Sequence, residues 1–227
     1  MTIHNPQKKI EIKRIDGELI FSSSTAKNIK EAVEEAVNKN VNLTRAVLNG
    51  ADLSYAYLRN ARLYGAWLNG TNLIGADLSY SNLQHAHIEH ATLIEANLSK
   101  SNMIHANLSD SYLNGANLTG SILFSADLSR CKMYKTNLSH TILINANFQD
   151  AFLTGAKIRH ANLSDANNAV NIAPAPSAKS PINKLRNKIH RIIHKLKRVK
   201  LPAILYFLLY LLIINIPLIY YILSRGK

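Results

Sequence analysis

From Val41 to Asp165 the chain repeats every five residues without one insertion, which makes 25 units. The third position of each unit is Leu in 20 cases and Ile88, Met103, Met133, Phe148 or Ile158 in the rest. The first position holds 16 Ala, four Ser, three Thr, Val41 and Cys131. Neither regular element accepts that period. On a helix five residues advance about 500°, so successive leucines step around the cylinder by about 140° and draw no stripe. In a continuous strand an odd period throws alternate leucines to opposite faces. What remains is a short extended segment whose first and third residues point inward, followed by a two-residue corner. Repeated, that unit coils into a solenoid whose turns stack on one another.

The units "ADLSY", "ANLSK", "ANLTG" and "ADLSR" resemble the A(D/N)LXX unit of the pentapeptide repeat family. The resemblance implies an all-β solenoid, a right-handed quadrilateral β-helix with four units per coil. With coils about 4.8 Å apart, slightly more than six of them make a rod roughly 30 Å long. Its interior is filled by its own Ala and Leu side chains, which leaves no room for a ligand cavity of about 300 Å³ or more. No nucleophile–base pair, glycine-rich phosphate loop or paired carboxylates stand out. The expectation is a non-enzyme with no cofactor and no catalytic residue, whose function lies on its outside.

Residues 1–40 read as a hairpin followed by a helix. Ile10, Ile12 and Arg14 lead to the turn pair Asp16-Gly17, and Leu19, Ile20 and Phe21 follow it. The helix is expected to open at Ser24 or Thr25 and to bury Ile29, Val33, Ala36 and Val37. This segment is expected to cap the first coil, because an open solenoid end exposes backbone edges.

Beyond the repeats the chemistry changes. Residues 166–181 have no period and hold three prolines, as a linker does. From Ala166 to Lys227 there are 11 Lys/Arg and no Asp or Glu, so 11 of the net +13 charges belong to this tail. In residues 182–200, Ile182, Leu185, Ile189, Ile192, Leu196 and Val199 draw one helical stripe. Lys184, Lys188, Arg191, Lys195, Lys197, Arg198 and Lys200 populate the rest, the pattern of a membrane-surface helix facing anionic headgroups. Residues 201–223 carry no charge, and at 1.5 Å per residue such a helix reaches about 35 Å, enough for a transmembrane span. The excess of Lys/Arg on the repeat side predicts a tail-anchored protein whose repeat domain stays in the cytoplasm.

If residues 20 apart stack, Tyr64, Ile104, Phe124 and Ile144 fall in one outward column, flanked by Ile122 and Ile142. A contiguous apolar patch of this kind marks a contact surface, for a protein partner, a second copy or the chain's own basic helix. The same stacking places His85 over His105 and His140 over His160; two imidazoles are too few for a structural zinc, and no metal site is expected. His90, Asp110, Arg130 and Asp150 form an expected charge ladder. Cys131 takes an inward position as a small core residue. The reading is a membrane-tethered, non-enzymatic protein-interaction scaffold. Two alternatives come from the family: a secreted effector that inserts in a host membrane, and a DNA mimic that binds topoisomerases. The second needs an acidic rod, whereas this one holds nine basic and eight acidic residues. No nucleic-acid partner is expected, since that would leave the tail's apolar stripe unexplained.

Overall fold

The structure, a computed structural model, describes residues 9–167. The linker, the basic helix and the span expected from the sequence lie outside the described residues. Among the described residues no helix is long and apolar enough to cross a membrane.

Two strands, β1 (Ile10–Lys13) and β2 (Leu19–Ser23), pair antiparallel with Ile10 opposite Ser23 and Ile12 opposite Phe21. Between them Gly17 takes φ 88° in the turn, and its N–H donates to the Arg14 carbonyl at 2.9 Å. Helix α1 (Ile29–Asn38) starts later than the sequence suggested. Its N-cap is Asn28, whose Oδ1 accepts the Glu31 N–H at 2.9 Å, while the Glu31 carboxylate reaches back to the Lys27 N–H at 2.8 Å. Ser23 accounts for the difference. Its hydroxyl accepts the N–H groups of Thr25 and Ala26 and binds Glu35, so residues 23–26 are held in a turn ahead of the helix. The helix ends in a Schellman motif: Asn40 sits at φ 59° and donates to Val37, and Val41 donates to Ala36. That exit delivers Val41 to the first position of the first repeat. Ala32, Val33 and Ala36 are fully buried, and Ile29 and Val37 pack on the same core.

The repeats form an unbroken ladder of 22 parallel bridges between residues 20 apart, from Asn42–Arg62 to Asn147–Asn167. Each coil therefore contains four five-residue units, and every unit contributes its second residue to the ladder. No unit supplies a longer strand. The N–H of the third residue donates to the carbonyl 19 residues on, as Leu98 does to Asn117 at 2.7 Å. The N–H of the second residue donates 21 residues back, as Asn117 does to Ala96 at 2.9 Å. The inward leucines and alanines form one continuous core with Ile12 and helix α1. Where Ser or Thr replaces Ala, the buried hydroxyl binds a carbonyl, as Ser101 does to Leu98 at 2.7 Å. Cys131 is fully buried, its Sγ 2.9 Å from the Leu108 carbonyl, and burial pushes its thiol pKa up to about 12.

The corners explain the rest of the unit. From Ala46 on, the N–H of every inward first residue except Ala91, which donates instead to the Ser111 hydroxyl at 3.0 Å, donates to the third residue of the preceding unit, as Ala56 does to Leu53 at 3.1 Å. This closes a β-turn whose third residue has positive φ, a type II turn. Every fifth position from Arg45 to Asp165 takes that conformation; seven are Gly and 18 are not. The Asn or Asp at the second position serves the same corner, its Oδ1 accepting the N–H two residues on, as Asn97 does from Ser99 at 3.2 Å. All 13 units with Asn or Asp at that position make this bond.

Candidate interaction faces

Four faces follow from four units per coil: the first begins at residues 41, 61 and 81, the second at 46, the third at 51 and the fourth at 56. The six residues singled out for partner binding all lie on the first face. Ile122 bridges Ile142 directly, and the N–H groups of His105 and Ser125 bond the carbonyls of Phe124 and Ile144. Tyr64 is 41% and Ile142 39% exposed, while Ile104, Ile122, Phe124 and Ile144 are half-buried because neighbouring coils cover their flanks. The patch is therefore shallower than outward positions alone suggest.

A line of rings borders it. Tyr64 lies 5.3 Å from His85, His85 stacks on His105 at 5.1 Å, and His105 meets the edge of Phe124 at 5.9 Å. At the corner that ends the fourth face and leads into the first, His140 stacks on His160 at 4.9 Å. Among the described residues no three His, Cys, Asp or Glu side chains gather as a metal site requires.

The expected charge ladder on the second face is realised in one strong pair. Arg130 donates Nε and Nη2 to the two Asp110 oxygens at 2.8 and 2.7 Å. That fork holds the Asp110 carboxyl below the usual carboxylate range and the Arg130 guanidinium above its own. Other features escaped the sequence pattern. Ile94 and Asn114 occupy fourth positions yet are buried, and Phe152, at 49%, is more exposed than any aliphatic member of the patch. Their depth depends on the side chain one coil away, which a five-residue pattern does not specify. The membrane-surface residues Lys184, Lys188, Arg191, Lys195, Lys197, Arg198 and Lys200 lie outside the described residues.

A filled, unbroken ladder of four-unit coils defines the class of protein, a repeat β-solenoid. The family model described as pentapeptide repeats matches in eight copies between residues 39 and 167, more than half of the chain. The chain belongs to the pentapeptide repeat family. No curated protein matches it significantly. Similar solved structures include the pentapeptide repeat protein Rfr23 of the cyanobacterium Cyanothece 51142, at 27% identity and a TM-score of 0.36. That alignment covers 44% of this chain and 64% of Rfr23, less than two thirds of its length. HetL of Nostoc sp. strain PCC 7120, a pentapeptide repeat protein involved in heterocyst differentiation regulation, is 25% identical with a TM-score of 0.27. The match covers 56% of this chain and 73% of HetL. A pentapeptide repeat protein of the Arabidopsis thaliana thylakoid lumen is 22% identical with a TM-score of 0.34, covering 47% and 74% of the respective chains.

Proposed function

We propose that this protein is a non-enzymatic interaction scaffold, with residues 1–40 capping a right-handed repeat rod (41–165). A linker (166–181), a basic surface helix (182–200) and a transmembrane segment (201–223) hold that rod at the cytoplasmic face of a membrane. The observation that carries the reading is the apolar patch of Ile104, Ile122, Phe124, Ile142 and Ile144 on a rod whose core is filled by its own side chains. Recognition then falls to the surface, and the uncharged stretch of residues 201–223 with its basic approach supplies the address, drawn to anionic headgroups. No cofactor is needed for this task.

A photo-crosslinking residue at Phe124 in the full-length, membrane-bound protein tests it. The expected result is capture of a foreign protein, lost in Ile142→Asp and Ile144→Asp variants. Capture only of a second copy or of the chain's own tail overturns the scaffold reading and makes the patch structural.

A further inference from the structure

Four units to a coil set the second and fourth faces on opposite sides of the rod, and their charges are opposite too. Within the repeats the fourth face, defined by the ladder Tyr57–Asp77–Asn97–Asn117–Asn137–Lys157, presents Arg59, Lys100, Lys157 and Arg159 against one acid, Asp77; at its N-terminal end helix α1 adds Glu34, whose carboxylate accepts the Tyr57 N–H at 2.9 Å. The second face presents Glu89, Asp110, Asp127 and Asp150 against Arg130. A nearly neutral rod thus hides a transverse separation of net +3 from net −3. The difference deepens in the pairing. Arg130 is taken up by Asp110, whereas none of the four fourth-face cations forms an ion pair among the described residues.

These cations are exposed, and two are laid along the surface. Arg59 donates to the Ser79 hydroxyl at 2.9 Å with its guanidinium 4.3 Å from the Tyr80 ring, and Lys100 donates to the Tyr80 hydroxyl at 2.9 Å. Lys157 and Arg159 form a second group beside the stacked His140 and His160. Tyr57, 74% exposed, completes the face with an amphipathic ring.

We propose that the fourth face lies against the anionic surface of a bilayer, turning the acidic second face toward the aqueous phase. The inference rests on the membrane tether proposed above. Attraction to an anionic leaflet fades within a Debye length, about 8 Å at physiological salt, so it favours cations on one plane that reach the surface together. The fourth face offers that plane, and the second face is repelled. The apolar patch on the first face then stands at the side, open to a partner.

Trp67, the single tryptophan, reports the second face, and Tyr57→Trp in a Trp67→Phe background reports the fourth. The full-length protein is placed in phosphatidylcholine vesicles with and without phosphatidylglycerol, and quenching by brominated lipid is measured. With phosphatidylglycerol present, the Tyr57→Trp reporter is expected to be quenched at least about threefold more than Trp67, and about 1 M salt to remove the difference. Lys157→Glu with Arg159→Glu should reduce the quenching, and Lys157→Arg with Arg159→Lys should preserve it, with unchanged circular dichroism. Equal quenching of both reporters, or stronger quenching of Trp67, overturns the orientation. So does binding of a DNA duplex without any vesicle-dependent quenching. Release by alkaline carbonate with the Tyr57→Trp reporter still quenched at low salt would sink the tether and uphold the facial preference. Retention without a reporter difference would do the reverse.

Discussion

The N-terminal segment and the repeat rod shape their backbones by different means. In residues 10–40 each special conformation has a residue suited to it: Gly17 in the hairpin turn, Asn28 at the helix start, Asn40 at the left-handed helix exit. In the rod the same left-handed conformation recurs at every fifth position whatever stands there, including Tyr55, Glu95, Lys135 and His160. A non-glycine residue meets a cost of roughly 1–2 kcal/mol in that region. The rod bears it repeatedly because each corner is fixed by hydrogen bonds to the coils beside it and by leucines that leave the core only if the corner opens. Local chemistry chooses the conformation in one region; stacking imposes it in the other.

That contrast can be broken most sharply in the core. Leu118→Ala, at a fully buried mid-rod position, is expected to cost about 3 kcal/mol and to lower the Tm of the whole repeat region. A thermal melt with unchanged Tm would show that the coils do not share their stability. Next comes Gly75→Ala. A Cβ there would stand 2.6 Å from the Tyr55 ring at φ +63°, and denaturant titration should register a loss of about 2 kcal/mol. Asn28→Ala is a local change: about 1 kcal/mol, read by hydrogen exchange as fraying of helix α1, with protection of the mid-rod amides unaltered. Ser125→Gly, at φ 52°, should instead stabilise by about 0.5 kcal/mol, since glycine relieves the strain but adds chain entropy. The smallest effect is confined to alkaline pH. The Cys131 pKa is raised by burial to about 12, so its contribution is complete below the unfolded value, near 8.5, and is lost as pH rises toward the folded one. Cys131→Ala should therefore flatten the decline in Tm across that window, and in the native parent the thiol should resist labelling at pH 8.

The inward half of each unit was fully legible, because a first-position Ala and a third-position Leu answer to one requirement, burial in a narrow core. The pairing of His85 with His105 and of Ile122 with Ile142 followed once four units made a coil. The start of helix α1 did not, since Ser24 and Thr25 are acceptable caps until Ser23 and Glu35 are seen to hold that stretch in a turn. Nor did the left-handed corners. Arg45, Tyr55, Glu95 and Lys135 carry no turn preference that would announce them, so the cause is visible only in the neighbouring coil. The opposed charges of the second and fourth faces are invisible for a related reason. Along the chain residues of the two signs are interspersed, and only winding by 20 gathers them into columns.

The ladder pitch has an evolutionary reading. A gain or loss of one five-residue unit keeps every inward residue inward and every corner intact, so the fold survives it. Everything downstream, however, is rotated by a quarter turn about the axis. A column that faced a membrane would then face a partner, and a basic stripe would be cut and rejoined to an apolar one. Only changes in whole coils of 20 residues preserve the order of the surface. Duplication of single units is thus a combination lock for the exterior, resetting what the rod displays without touching what holds it together.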